Sequence, residues 1–175
     1  MAETIITIVL LAVTIALLFV IIIGMFYAID VFLDLPYVAT KKDKVKTIIA
    51  LANIKKGETV VDLGSGDGRL LYKSAELGAF AIGYEINPFL IALTLVHRNL
   101  KGLVSEIHIK RQNLWRADLK IADVIFVYGR KKTMKRFQDF VYKNAKKGTR
   151  IVVNTNPFPD KKPTKTENKT FLYIV

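Results

Sequence analysis

Apolar residues form one long uninterrupted run near the start of this chain and recur at regular intervals in the remainder. Residues Ile5 to Ile29 contain no charged side chain and consist mostly of Ile, Leu, Val, Ala and Phe. As a helix this run extends for roughly 37 Å, enough to cross a hydrocarbon core of about 30 Å. A cleaved signal peptide would have a shorter apolar core and a basic start, whereas this run is preceded by Glu3. The pattern therefore predicts a retained transmembrane helix over residues 5–29.

After a link over residues 30–40, the pattern alternates between short strand-like runs and helix-like segments. The predicted strands are Thr59–Leu63, Phe80–Glu85, Ile107–Lys110, Ala122–Tyr128, Arg150–Asn154 and Thr170–Val175. Apolar residues at helical spacing predict helices over residues 41–54, 69–77, 88–99 and 133–145. This alternation predicts an α/β domain over residues 41–175 with a doubly wound, mainly parallel sheet of Rossmann-like type. The lysine-rich segment Asp160–Lys169 is expected to be a loop without a site.

Three glycines at alternate positions, Gly64, Gly66 and Gly68, follow the first predicted strand, and a helical pattern begins directly after them. A strand that ends in such a turn brings its backbone very close to a ligand or to another chain segment. The second predicted strand ends in Glu85, about 20 residues after the first glycine. In a βαβ unit this spacing places the acid beside the turn, where it can accept hydrogen bonds from the hydroxyls of a ribose.

Two further carboxylates distinguish this turn from a dinucleotide-binding turn. Asp62 precedes the first glycine and Asp67 lies inside the turn, where a pyrophosphate would meet its negative charge. A ligand with an amino or cationic group is compatible with these carboxylates, which favours S-adenosylmethionine over NAD. The candidate cofactor-binding residues in this region are Asp62, Gly64, Ser65, Gly66, Gly68 and Glu85.

The loops after the other predicted strands provide the remaining candidates, because ligands of open α/β sheets bind at the carboxyl ends of the strands. Asn113 and Leu114 follow the third strand, where a side-chain amide can read the edge of adenine. Trp115 can stack on a ring or cover the core. An Asn-Pro-Pro-aromatic motif after the fourth strand marks amino methylation of bases, but here Asn-Pro-Phe, ending in Phe158, follows the fifth. Phe158 is then either part of an acceptor pocket or a loop residue without a function of its own.

Composition narrows the chemistry and the location. The chain has no Cys, and His97 and His108 are too far apart in sequence to form a ligand pair, so no metal site is predicted. All 27 Lys and Arg lie after Asp30, which gives the remainder of the chain a net charge of about +14 and predicts an anionic partner, with a lipid surface favoured over nucleic acid. Because Lys41–Lys46 follow the apolar run and no Lys or Arg precedes it, the positive-inside rule predicts a single-pass protein with a cytoplasmic domain.

Several motifs together are more selective than the glycine turn alone. They are Pro36-Tyr37-Val38, Asp62-Leu63-Gly64-Ser65-Gly66-Asp67-Gly68-Arg69, Gly83-Tyr84-Glu85-Ile86-Asn87-Pro88-Phe89-Leu90, Asn113-Leu114-Trp115 and Phe158-Pro159. This set resembles the small class I protein-lysine methyltransferases that modify the adenine nucleotide translocase and the ATP synthase c-subunit, together with small archaeal relatives. The resemblance runs from about Pro36 to Pro159.

The resemblance implies that the turn and Glu85 hold S-adenosylmethionine and that the Pro-Tyr-Val lead-in covers the active site. Three features depart from the family pattern: Ala39 replaces a usual proline, Asn113 replaces a usual aspartate, and the short chain after Pro159 lacks a tryptophan. The last departure bears on the identity of the substrate.

We therefore expect a membrane-anchored enzyme that transfers a methyl group from S-adenosylmethionine to a lysine of a protein, which can itself be a membrane protein. Such a displacement requires a neutral amine held in a low-dielectric pocket, for which Tyr37, Tyr128 and Phe158 are the candidates. A nucleic-acid methyltransferase would explain the basic domain but not the apolar run. A catalytically silent membrane scaffold is the remaining alternative, against which the intact glycines and Glu85 argue.

Overall fold

The structure is a computed structural model that describes residues 1–32 and 40–175. The chain divides into two compact units, Met1–Tyr37 and Val38–Val175. Within the first unit, helix α1 covers Ala2–Phe32, and its segment Ala2–Met25 is long and apolar enough to cross a membrane by length and composition. The predicted lead-in, which includes Tyr37 and Ala39, lies outside the described residues.

The second unit alternates strands and helices in nearly the predicted order. Its helices are α2 (Lys42–Ala52), α3 (Arg69–Glu76), α4 (Pro88–Leu100) and α5 (Met134–Asn144). Its strands are β1 (Thr59–Leu63), β2 (Phe80–Glu85), β3 (Ile107–Arg111), β4 (Val124–Tyr128), β5 (Arg150–Asn154), β6 (Lys165–Glu167) and β7 (Thr170–Ile174). Short 3-10 helices at Leu114–Arg116 and Lys131–Thr133 complete the described elements.

The strands form one seven-stranded sheet in the order β3-β2-β1-β4-β5-β7-β6. Strands β1 to β5 pair in parallel, and β7 pairs antiparallel with β5 and β6. Because the order reverses between β1 and β4, right-handed crossovers place α3 and α5 on opposite faces. The predicted mainly parallel, doubly wound sheet is therefore confirmed.

Each face of the sheet has its own apolar core. Ile48 and Leu51 of α2 pack with Val60, Phe126 and other residues on one face. Residues at alternate positions, such as Ile125, are equally buried and point to the other face. The sheet is thus covered on both sides, and the carboxyl ends of β1 to β5 remain as the edge where a ligand can bind.

One prediction was wrong in this unit. The segment Asp160–Lys169, expected to be a loop, contains β6, which forms a tight hairpin with β7. The two residues of its turn, Asn168 and Lys169, have φ of 45° and 51°, which is the left-handed geometry of a type I′ turn that matches the twist of paired strands. Lys169 occupies the position where glycine usually signals such a turn, so that the hairpin has no obvious sequence mark.

Candidate cofactor site

The glycine turn joins β1 to α3 at the carboxyl edge of the sheet. Gly64, Gly66 and Gly68 all have positive φ, of 83°, 56° and 78°. A Cβ at Gly68 would in addition lie 2.6 Å from Cγ2 of Thr94 on α4. Left-handed backbone and close approach therefore both require glycine at position 68.

Glu85, at the end of β2, is bonded directly to this turn. One carboxylate oxygen accepts a hydrogen bond from the Gly66 backbone N–H at 2.9 Å. The other accepts from the N–H groups of Ile86 and Asn87, both at 2.8 Å. Three backbone donors thus fix the carboxylate beside the turn, as the spacing in the sequence suggested.

Asp62, Asp67 and Glu85 form an acidic cluster around the turn. Asp62 is buried, and this burial, followed by the charges of Glu85 and Asp67, raises the pKa of its carboxyl to about 8. Asp67 is paired with Arg69, whose Nε donates to Oδ1 at 2.9 Å, and the same guanidinium donates to the backbone carbonyl of Thr40. A cationic or amino group entering the cluster would stabilise the ionised form of Asp62, whereas a phosphate would not.

Ser65 of the turn places a buried hydroxyl against β2. Its hydroxyl oxygen is buried and has no hydrogen-bond partner among the described residues. A Cβ at Gly83 on β2 would lie 2.5 Å from this oxygen, so the glycine in β2 leaves room for the hydroxyl. Buried hydroxyls are rarely left unpaired, and a bound ligand is one of the groups that can satisfy them.

The two residues predicted for the adenine side, Asn113 and Leu114, have different surroundings. A Cβ at Gly64 would lie 3.7 Å from the Cδ2 atom of Leu114, so Leu114 reaches the turn. The Asn113 side-chain oxygen accepts from the Trp115 backbone N–H at 3.0 Å and caps the short helix that follows. This oxygen is therefore engaged locally, which leaves the amide nitrogen of Asn113 as the group that could read a base.

Trp115 packs against α5. Its ring centroid lies 4.5 Å from that of Phe137 and 5.6 Å from that of Phe140, and the Arg136 guanidinium lies 4.0 Å from its ring centroid. Of the two roles that the sequence left open, the structure favours covering the core.

The three candidates for the acceptor pocket have different surroundings. Tyr128, at the end of β4, is 37% exposed and can present its ring to a substrate. Phe158 is only 3% exposed, because its ring packs against Tyr142 and Tyr173. Its burial favours packing over contact with a substrate. Tyr37 lies outside the described residues.

Sequence reasoning missed a supporting layer behind the turn. Thr94 of α4 donates from its hydroxyl to the Gly66 carbonyl at 3.2 Å, and Tyr72 of α3 donates to the Thr94 carbonyl at 3.0 Å. Thr94 is fully buried. A single polar residue in the apolar run of α4 was the signal that could have revealed it.

Comparison with known proteins gives this geometry a family. Residues 62–165 match the family described as the ANTKMT methyltransferase domain. The chain belongs to this family. It is 30% identical over 132 residues to the adenine nucleotide translocase lysine N-methyltransferase of Mus musculus, covering 75% of this chain and 57% of that protein. The match to the lysine N-methyltransferase of the ATP synthase c-subunit from Xenopus laevis is 28% over 128 residues, covering 73% and 56%.

An archaeal relative matches over more of its own length. The protein-lysine N-methyltransferase of Saccharolobus islandicus is 29% identical over 119 residues, which cover 67% of this chain and 74% of that protein. The chain thus spans a little over half the length of the two vertebrate relatives.

Solved structures agree with the fold. An RNA methyltransferase from Salinibacter ruber in complex with S-adenosyl-L-homocysteine has a TM-score of 0.75 at 23% identity, covering 78% of this chain and 93% of that chain. A Geobacter sulfurreducens methyltransferase in complex with the same molecule has a TM-score of 0.58 at 19% identity, covering 69% and 52%. The predicted family, the class I methyltransferase fold and S-adenosylmethionine as the cofactor of this class are thereby confirmed.

Proposed function

We propose that this protein transfers a methyl group from S-adenosylmethionine to a lysine side chain of a protein. The family assignment and the activities named for relatives in animals and an archaeon support this acceptor. The observation that carries the proposal is the acidic cluster around a glycine turn with an unpaired buried hydroxyl.

The residues of the turn fit the proposed cofactor group by group. The Glu85 carboxylate is held by three backbone N–H groups and retains capacity to accept from ribose hydroxyls. Asp62 would pair with the α-amino group, and the Ser65 hydroxyl would gain the partner that it lacks among the described residues. Leu114 and the amide nitrogen of Asn113 would contact the base. When bound, S-adenosylmethionine supplies an electrophilic methyl group on a positively charged sulfur.

The remaining task of the chain is to hold a lysine amine in its neutral form and in line with that group. A low-dielectric surrounding lowers a lysine pKa, and alignment replaces the need for a strong base. Tyr128 is exposed at the end of β4, where its ring and hydroxyl can hold and orient the amine. We propose Tyr37 as a second wall of this pocket, whereas the burial of Phe158 supports an indirect role for it through packing.

We further propose that α1 anchors the enzyme in a membrane, with the catalytic unit on the cytoplasmic side. The apolar length of Ala2–Met25 and the lysines that follow residue 40 support this topology. The names of two relatives refer to the adenine nucleotide translocase and to the ATP synthase c-subunit, and an anchored enzyme would meet substrates in or at its own membrane.

Transfer to a nucleic-acid base is less well supported. A base extruded from its stack is held by stacking between aromatic side chains. Phe158, which ends the Asn-Pro-Phe run, is only 3% exposed and its ring packs against that of Tyr173. It therefore does not offer a free face for a base to stack on.

Methyl transfer to membrane extracts tests the proposal. Full-length protein in detergent, S-adenosylmethionine with a labelled methyl group, and membranes from cells lacking this protein should yield labelled protein that survives nuclease. Acid hydrolysis of that protein should release labelled methyl-lysine. Label that is removed by nuclease and persists after protease would overturn the lysine assignment, and no label in either fraction would favour a non-catalytic scaffold.

A further inference from the structure

The fold brings two basic segments that are distant in sequence next to each other. The lysines at the start of α2 and those of the β6–β7 hairpin are here together called the basic edge: Lys41, Lys42, Lys44, Lys46, Lys165 and Lys169. The Lys44 ammonium donates to the Asn168 carbonyl in the hairpin turn and joins the two segments.

The basic edge lies at the same edge of the sheet as the cofactor site. The Thr155 backbone N–H, just after β5, donates to the Lys169 carbonyl at 2.9 Å. Thr170 pairs with Asn154 at the carboxyl end of β5. On the other side, the Arg69 guanidinium donates to the carbonyl of Thr40, directly before Lys41. A surface that binds the basic edge therefore comes to lie beside the opening of the cofactor site.

The charges of the basic edge are poorly compensated by the protein. Lys165 lies 3.7 Å from Glu167, but no ion pair involves Lys41, Lys42, Lys46 or Lys169 in the part of the chain that the structure describes. Partial burial and the nearby charge of Lys169 lower the pKa of Lys44. Asp43 and Glu167 are the carboxylates within these two segments, and the remaining surplus of positive charge favours an external anion, which would relieve the repulsion between the lysines.

A second basic surface, the groove along α5 that Lys132, Lys135, Arg136 and Lys143 line together with Trp115, differs in this respect. Lys135 is paired there with Asp139 at 2.5 Å and with Asp160 at 3.1 Å, and Arg136 is stacked on Trp115. Part of the positive charge of the groove is thus already engaged within the protein, so the basic edge is the better candidate for an anionic partner.

We propose that the basic edge binds the anionic lipid headgroups of the membrane that holds α1 and so turns the cofactor site toward the membrane surface. The inference rests on the proposed membrane anchor. Fourteen residues separate Met25, where the apolar segment ends, from Thr40, so the lysines that begin at Lys41 follow the anchor closely in sequence. Each Lys near an anionic surface strengthens binding by about fivefold. The acceptors within reach are then lysines at the level of the headgroups, at the ends of the membrane spans of other proteins.

Lysine labelling of full-length protein in lipid vesicles tests the inference. Vesicles contain either a neutral lipid alone or the same lipid with phosphatidylserine, and an amine-reactive reagent followed by mass spectrometry reports each lysine. Lys41, Lys42 and Lys169 should be labelled at least about threefold more slowly in anionic vesicles, and about 0.5 M salt should remove the difference because it shortens the screening length to a few ångströms. Lys55 and Lys73, which are exposed and lie outside both basic surfaces, serve as internal references.

Two double variants with the same loss of charge distinguish the contribution of the hairpin lysines from the effect of lowering the net charge. Lys165→Gln with Lys169→Gln should abolish the protection of Lys41 and Lys42, whereas Lys143→Gln with Lys147→Gln should leave it unchanged. Equal labelling in both vesicle types would overturn the proposal. Protection that arises in neutral vesicles only after RNA or a membrane protein is added would instead assign the basic edge to that partner.

Two further measurements test the membrane anchor and the methyltransferase activity independently of the basic edge. Extraction of the vesicles at alkaline pH releases a protein that is not anchored, and methyl transfer in detergent reports catalysis without any lipid surface. An anchored, active protein with unprotected lysines would therefore refute the basic edge alone.

Discussion

The acidic cluster and the basic edge lie at the same edge of the sheet but balance their charge in different ways. Within the acidic cluster, Glu85 is held by three backbone N–H groups and Asp67 by Arg69. The pKa of buried Asp62 is raised to about 8. In the basic edge the lysines are mostly exposed, and water and salt carry out the neutralisation.

The difference follows from burial. Charges removed from water need partners within the protein or must change protonation state, while exposed like charges can persist at little cost until an opposite charge arrives. The buried charges of the acidic cluster therefore suit a ligand of defined shape, and the exposed charges of the basic edge suit the extended anionic surface proposed for it. The effects of substitutions on stability and binding should therefore differ between the two regions in size and in salt dependence.

The largest loss of stability is expected at Gly68, because the backbone of the glycine turn positions the acidic cluster. Gly68→Ala forces a Cβ to within 2.6 Å of Thr94 at a φ of +78°, and should lower the free energy of unfolding by roughly 2–4 kcal/mol. Gly148 has a φ of +86° and open space around it, so Gly148→Ala should cost only about 1–2 kcal/mol. Thermal unfolding of both variants in detergent gives the comparison. Equal losses would mean that the contact with Thr94 does not constrain the turn.

Removal of Glu85 tests the ligand side of the same cluster. Glu85→Ala should weaken S-adenosylmethionine binding by roughly 1.5–3 kcal/mol, because a charged acceptor is lost. Glu76→Ala is the matched control, since Glu76 is a carboxylate on α3 paired with Lys73 and Lys101. Isothermal calorimetry measures both affinities. A folded Glu85→Ala protein with unchanged affinity would contradict the proposed ribose contact.

The protonation of Asp62 predicts a dependence on pH. The folded-state pKa is raised from 3.8 to about 8, so the stability present at low pH is lost progressively as pH rises through this range. Asp62→Asn removes this loss and should be more stable to unfolding than the parent at pH 8, with no gain near pH 4. The same variant should bind S-adenosylmethionine more weakly. Thermal unfolding at the two pH values measures the difference, and a gain of equal size at both would rule out titration of Asp62 as its cause.

The smallest effect is expected in the basic edge. Lys169→Gly relieves a left-handed φ of 51° and should stabilise the hairpin by about 0.5–1 kcal/mol. Lys165→Gly removes the same charge type from β6 and should instead destabilise it by a similar amount, roughly 0.5–1 kcal/mol. Unfolding measured at low and high salt separates backbone strain from charge repulsion. A loss of stability on Lys169→Gly would show that the side chain contributes more than the turn geometry costs.

The sequence was most informative where local spacing determines geometry. The glycine turn, the strand that ends in Glu85 and the helix that begins at Pro88 all depend on residues within one βαβ unit, and each occurs as predicted. That the carboxylate of Glu85 meets the Gly66 N–H follows from parallel pairing of two adjacent strands.

Features that depend on distant contacts could not be predicted in this way. The burial of Phe158 arises from Tyr142 and Tyr173 on two other elements. The β6–β7 hairpin uses Asn-Lys where Asn-Gly would have signalled its turn. The sequence also did not show that the Asn113 side-chain oxygen caps the short helix after β3, a competition typical of Asn near a helix start.

The bonds of Arg69 have a mechanical consequence. Its guanidinium clamps the carbonyl of Thr40, where the chain enters the folded unit, to the Asp67 carboxylate beside Gly66 and Gly68. A pull on the chain at Thr40 would therefore load the bonds of Arg69 before it reached the turn. The three glycines of the turn, which have no side chains of their own, would keep their positive φ values for as long as these bonds hold.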